Sequence, residues 1–207
     1  MAALVGSGMV TAAVIRDGTV GGTELGHGEA KEGFKYESKG FNKLAAQRPH
    51  ILQAAISERK AVSRAVLYSD MDVAWRSNPL PALRPYLDSQ DIVGQRDDYL
   101  ICTGFFMFST SNPEVPVLLG EWAEIIASGN VVNQYEFNNM LKKHPGLRVQ
   151  GLPHETFPSG LEFFHKRRHA STAVTVHANY FQGQQTKREK LKSAGLWRDI
   201  PISGGQG

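Results

Sequence analysis

The stretch A-V-L-Y-S-D-M-D-V-A-W, Ala65–Trp75, decides the reading of this chain. Ala65–Tyr68 is a short run of consecutive apolar residues. A run without alternation has both faces in apolar surroundings, the pattern of a strand buried inside an α/β sheet. Ser69–Trp75 follows as its polar end. Asp70 and Asp72 thus stand just past the carboxyl end of a buried strand, where open α/β sheets gather their ligands. Two carboxylates one residue apart can hold a hard divalent cation there, and such an ion commonly bridges protein carboxylates to substrate phosphates. A D-x-D pair by itself is common on surface turns. Here an apolar strand precedes it and Val73, Ala74 and Trp75 follow it, whereas a surface turn is more often polar on both sides.

Outward from this strand the pattern alternates. Ile92–Gln95 and the aromatic Ile101–Phe108 read as further strands, with Leu147–Leu152 and Ala173–His177 as two more. Glu114–Ser128 carries Val117, Leu118, Trp122, Ile125 and Ile126 near helical spacing and stops at Gly129. Gln134–Lys143 reads as a helix stopped by Pro145-Gly146, and Thr186–Ala194 as a basic helix ended by Gly195. Phe41–Lys60 has helical spacing with Pro49 inside it, which predicts two short helices or one broken one. Asn78–Pro81 is a turn. Helices alternating with strands place the chain in the α/β class. Met1–Gly33 differs: Val10–Ile15 can supply one strand, and the glycine-rich, charged Asp17–Gly33 reads as loop.

The chain has 207 residues, 41% hydrophobic and 21% charged, with a formal net charge of +3. That length gives one domain with a sizeable core. The mild charge argues against a generic nucleic-acid binder. The positives cluster, however: Lys166–Lys192 holds seven Lys or Arg against Glu189 alone, either a solvated face or a surface for an anion. The single cysteine, Cys102, sits in an apolar run and reads as a small core residue; one cysteine excludes an internal disulfide. No apolar run reaches the ~18–20 residues of a membrane span, and Met1–Ile15 makes a poor signal peptide.

A second constellation is V-T-V-H-A-N-Y-F-Q-G, Val174–Gly183, followed by Lys187. His177 ends a short strand. A lone histidine is more often a satisfied core residue, but Asn179, Gly183 and Lys187 shift that balance. Glycine lets backbone approach a ligand, lysine is a point charge for phosphate, and imidazole suits manganese or a similar ion. Trp75 and Trp122 read as core, and Gly104, a strand glycine, predicts a close backbone approach, to sugar or acceptor.

Together with S-K-G-F-N-K-L (Ser38–Leu44), N-P-L (Asn78–Leu80), C-T-G-F-F (Cys102–Phe106), N-Q-Y-E-F-N (Asn133–Asn138), F-P-S-G (Phe157–Gly160) and L-W (Leu196–Trp197), these strings resemble the nucleotide-diphospho-sugar transferase family that includes plant rhamnogalacturonan xylosyltransferases and animal relatives. The resemblance runs from about Ser38 to Trp197. It implies a GT-A-like fold with a mixed central sheet flanked by helices, N-terminally incomplete here, with residues 1–35 an atypical or poorly ordered segment and 36–207 the glycosyltransferase-like domain. It implies a UDP-sugar donor, xylose the leading sugar, a glycan or glycoprotein acceptor, Mn2+ or Mg2+, and transfer with retention at the anomeric carbon. It implies no nucleic-acid partner and a location in the Golgi, although the family's usual membrane anchor is not visible in this sequence.

Residue by residue, the resemblance makes Asp70, Asp72 and His177 the metal site. Asp72 would bind the ion directly, and Asp70 would meet it through water or contact the donor. Gly183 and Lys187 would face the diphosphate, with Asn179 and Lys43 also on the donor. Gln134 and Asp70 are the candidate catalytic residues, the Gln134 carbonyl supporting an oxocarbenium-like sugar; an ordinary polar residue at a helix start is the equal alternative for Gln134. Two departures bear on activity. Asn133 stands where the family commonly has aspartate, and Met1–Gly33 does not read like the opening strand and loop that hold a nucleotide base. They keep open a non-catalytic or truncated relative that serves as a binding module. A phosphotransferase of haloacid-dehalogenase type also uses a strand-end D-x-D, but wants a threonine where Val73-Ala74 stand and a later acidic pair after a strand.

Overall fold

The computed structural model describes residues 10–14, 45–127 and 132–197. Its centre is a five-stranded mixed sheet in the order β1-β2-β5-β4-β6, built from β1 (Val10–Val14), β2 (Ala65–Ser69), β4 (Ile92–Asp97), β5 (Leu100–Ser109) and β6 (Val149–Leu152). β1 runs parallel to β2, and β6 parallel to β4, while β5 is antiparallel to both β2 and β4. The N-terminal half of β5 therefore lies beside the carboxyl ends of β2 and β4. A separate ribbon pairs β3 (Val73–Trp75) with β7 (Thr175–His177), antiparallel, with Val73 opposite His177.

The unbroken apolar runs predicted burial on both faces, and the two-residue period of a strand divides them between two cores. Val66, Tyr68, Phe106 and Phe108 point to one side, under α1 (Gln47–Arg59), α3 (Glu114–Ala127) and α4 (Asn133–Lys143). Phe106 is the hub there, with ring centroids of Tyr68, Phe108, Trp122 and Phe137 at 4.6–6.3 Å. Ala65, Leu67, Phe105 and Met107 point to the other side, against Val73, Leu83, Leu152 and Phe157. Each fully buried aromatic of this kind contributes roughly 2–3 kcal/mol of burial free energy. The mixed sheet flanked by helices is the architecture expected from the sequence.

Local differences have local causes. Of Phe41–Lys60, residues 41–44 lie outside the described residues; Ala45 is helical, Ala46 is a turn and α1 starts at Gln47, so the interruption falls at Ala46 rather than at Pro49, which is the third residue of α1, where a backbone N–H has no intrahelical partner to lose. Asn78–Pro81 leads into a short helix, α2 (Leu80–Leu83), which a 3-10 turn (Arg84–Tyr86) continues. β3 stands where the sequence predicts the polar tail of β2; three residues are too few to show a period. A π turn at Leu161–His165 had no counterpart in the sequence reading. The last helix, α5 (Gln184–Ser193), starts after Gly183, whose φ is +78°. No helix among the described residues is long and apolar enough to cross a membrane.

Candidate active site

A cavity of about 500 Å³ opens at the carboxyl ends of β2 and β4. Its walls come from β5, the start of α4, and the segment from His177 through Gly183 to Lys187. The acidic pair enters from β2. The backbone N–H of Asp70 donates to the Gly104 carbonyl at 2.7 Å, so the sheet ladder continues through the first aspartate. Asp72 then leads into β3, and its carbonyl accepts the N–H of Ala178 at 2.9 Å. The ribbon thereby carries His177 to the acidic pair. One ligand-type atom from each of Asp70, Asp72 and His177 lies within 4.8 Å of the others.

Each of the three is held by neighbours. The Asp70 carboxylate accepts hydrogen bonds from Arg48 (3.0 and 3.3 Å) and from the Tyr68 hydroxyl (2.7 Å). Arg48 comes from the buried face of α1, donates also to Thr103, and lies over the Tyr68 ring. Its burial disfavours the guanidinium charge, but Asp70 and Tyr68 outweigh that and keep it cationic. Burial likewise pushes the Tyr68 phenol above its ordinary value, Arg48 opposing and Asp70 adding to it. Asp72 meets Nε2 of His177 at 3.3 Å and Nζ of Lys187 at 2.6 Å, the latter 115 residues away in sequence. Burial alone would raise the Asp72 carboxyl; His177 and Lys187 outweigh it and hold it far below the usual carboxylate range. For His177 burial opposes the imidazolium, but Asp72, then Cys102, raise it well above the ordinary histidine value. Nδ1 of His177 faces Gln95 Oε1 at 2.9 Å and the Cys102 sulfur at 3.7 Å.

Gly104 explains how these groups fit. A Cβ there would sit 2.4 Å from Cε1 of His177 and 2.7 Å from Oδ2 of Asp70. The close approach foreseen at this glycine is made by the site's own side chains, and Gly104 also lines the cavity. Two carboxylates and one imidazole, with the strand pulled back beneath them, form a donor set suited to Mn2+ or a similar divalent ion. Cys102, foreseen as core, is buried but also lines the cavity and steadies His177.

The other expected residues fall into three groups. Lys187, Gly183, Asn179 and Gln134 all line the cavity. The Asn179 side chain accepts the Gly160 N–H at 2.6 Å, so one face of it secures the F-P-S-G turn, while its buried Nδ2 has no partner among the described residues. Gln134 reaches the cavity with both ends of its amide already used: Nε2 donates to Asp97 at 2.9 Å and Oε1 accepts the Thr103 N–H at 3.3 Å. Lys43 lies outside the described residues. Asn133, at the departure from the family pattern, donates from Nδ2 to the Ala45 carbonyl at 3.3 Å, tying α4 to the chain two residues before α1. Of the basic stretch, Lys187 joins the site, whereas Lys166 and Arg168 pair with Glu162.

Sequence reasoning missed Arg48, Tyr68, Gln95 and Asp97. Three of the four carry no local signal, because each acts by an approach from another element. Arg48 alone had a trace: a charge at a position of α1 between apolar ones.

Among known proteins, the family model described as nucleotide-diphospho-sugar transferase matches residues 18–191. Mouse xyloside xylosyltransferase 1, solved in its apo form, is similar in structure at 11% identity and a TM-score of 0.44, over 70% of this chain and 67% of that one. No curated protein matches the chain.

Proposed function

The chain belongs to the nucleotide-diphospho-sugar transferase family, and from that premise we propose a metal-dependent glycosyltransferase. It moves a sugar, xylose first, from a UDP-sugar to a hydroxyl of a glycan or glycoprotein, with retention at the anomeric carbon, in the Golgi lumen. One observation carries the reading: Asp70, Asp72 and His177 converge within 4.8 Å on the wall of a cavity that Lys187 also reaches.

In this reading Asp70, Asp72 and His177 hold the divalent ion, which when bound offsets the charge of the diphosphate. The chain supplies the rest. As the bond from the anomeric carbon to the diphosphate oxygen breaks, its electron pair goes to that oxygen. Lys187, already at the cavity on Asp72, offers a fixed ammonium to the growing negative charge. The first turn of α5 adds unpaired backbone N–H groups and the positive end of a ten-residue helix. Arg48 balances the Asp70 carboxylate, so the site presents less net negative charge to an anionic donor. Gln134, bound at both ends, acts as a positioning residue that sets Asp97 at the cavity.

The test is a calorimetric titration of UDP into the full chain with Mn2+ and then with EDTA, beside Asp72→Ala. The expected result is metal-dependent binding weakened at least tenfold in the variant, followed by slow hydrolysis of UDP-xylose by the wild type. A folded chain that binds UDP equally well with EDTA removes the metal from the proposal. UDP binding with neither hydrolysis nor transfer leaves a binding module.

A further inference from the structure

The cavity has two chemically different sides. Around Asp72 the fixed charges are matched, Asp70 by Arg48 and Asp72 by Lys187. The other side, formed by the β4–β5 turn, the start of α4 and the residue after Asn179, carries Asp97 and Asp98; among the described residues neither has an ion-pair partner. The same side carries three exposed tyrosines, Tyr99 (79% exposed), Tyr135 (50%) and Tyr180 (48%), all lining the cavity. They come from three separate elements, so their meeting at one mouth is a product of the fold and not of a local apolar run. Exposed rings cost a soluble surface and mark contact sites when they cluster.

Their presentation is also held against a backbone preference. Asp98 and Tyr180 sit at φ +56° and +68°, the left-handed region that L side chains rarely adopt. Asp97 accepts hydrogen bonds from both the Tyr180 hydroxyl and Gln134 Nε2, and so joins the three elements. These contacts fix the ring of Tyr180 at the mouth and keep the carboxylate beside it.

We infer that this tyrosine-lined, acidic side is the acceptor subsite, and that it takes an uncharged glycan and rejects acidic ones. The inference rests on the transferase reading above. A pyranose ring has an apolar C–H face that lies flat on an aromatic ring, and hydroxyl edges that donate to carboxylates. Tyr99 and Tyr135 offer the rings; Asp97 and Asp98 offer acceptors that also repel a uronate or sulfate. A diphosphate meets the opposite preference: Lys187 and the α5 N-terminus favour it, and the unpaired aspartates disfavour it. One cavity thereby sorts an anionic donor from a neutral acceptor.

The test titrates xylotetraose, and xylotetraose bearing one glucuronic acid, into the full chain with UDP and Mn2+ present, read by ligand-observed NMR. The neutral glycan should bind about tenfold more tightly than the acidic one. Tyr99→Ala and Tyr135→Ala should each weaken it about three- to tenfold, and Tyr99→Trp should restore it. Both tyrosines are exposed enough that their loss leaves the fold intact. Asp98→Asn should bring the acidic glycan to within about threefold of the neutral one. Equal or better binding of the acidic glycan, tyrosine variants without effect, or displacement of the glycan by UDP each overturns the inference. A wild type that binds UDP but no glycan sinks the subsite alone. One that binds the neutral glycan with the same tyrosine dependence but no UDP sinks the transferase reading and keeps the glycan site.

Discussion

Replacing Gly104 by alanine tests the architecture of the site with a single methyl group. That carbon would lie 2.4 Å from Cε1 and 3.1 Å from Nε2 of His177, and 2.7 Å from Oδ2 of Asp70. Ordinary carbon contacts lie near 3.5–4.0 Å, so the neighbours must retreat by about 1 Å. His177 has little room to do so: it is buried and faces Gln95, Cys102 and Asp72. Asp70 is held by Arg48 and Tyr68. The strain of overpacking is of order 1–3 kcal/mol, and displacing two of three ligand-type residues should lower metal-dependent UDP affinity about 30-fold or more. Gly94→Ala is the matched control. Its methyl group would meet the Ile101 side chain at 2.3 Å and Phe106 Cβ at 3.2 Å, a comparable insult with no ligand-type residue among the atoms it strikes. Urea unfolding gives the stability loss of each variant, and calorimetry with UDP and Mn2+ gives the site. The reasoning predicts similar destabilisation and divergent affinity. A folded Gly104→Ala chain whose UDP affinity stays within about twofold of wild type, or a Gly94→Ala chain that loses as much, refutes it.

Two further outcomes follow from groups away from the cavity's chemistry. Asn138 donates to the Ile101 carbonyl at 2.9 Å and accepts the Ile101 N–H at 2.8 Å, so its amide stands in for a neighbouring strand at β5. Asn138→Ala leaves both backbone groups without that partner and should cost about 2–3 kcal/mol in urea unfolding; a loss below about 0.5 kcal/mol would show that water replaces the amide freely. Hydrogen bonds from Arg148, outweighing burial, hold the Asp91 carboxyl down at about 2. A depressed folded-state value means the contribution is complete above the unfolded value near 3.9 and is lost as pH falls towards 2. Arg148 is 57% exposed, so screening leaves on the order of 1 kcal/mol. Wild type should therefore lose about that much more stability than Asp91→Asn between pH 5 and pH 2.5, and parallel stability curves would contradict the assignment.

What was legible in the sequence follows the range of the interaction. β2 and β5 showed themselves because burial on both faces writes a continuous apolar run, and Asp70 and Asp72 were readable because the end of that run marks the end of a strand. His177 and Lys187 stood out by the company of Asn179 and Gly183, and the family pattern then gave them roles; V-T-V-H alone does not distinguish a site histidine from a core one. Ala173–His177 read as a strand, but its pairing with β3 did not show, since the three residues of β3 carry no period and the pairing joins distant segments. Arg48 and Asp97 escaped for the same reason. Each is meaningful only through its partner, Asp70 in one case, Tyr180 and Gln134 in the other. Gln134 lines the cavity, but its amide is engaged by Asp97 and Thr103, which no spacing rule announces.

The register that sets Val73 opposite His177 also orders events during synthesis. The two aspartates leave the ribosome well before the strand that completes their ribbon and the helix that brings Lys187. Until then Asp72 lacks both of its cationic neighbours. A chain stopped after β6 would thus carry the acidic pair without the device that aligns it. A translation-arrest series should show the complete site only once α5 has emerged.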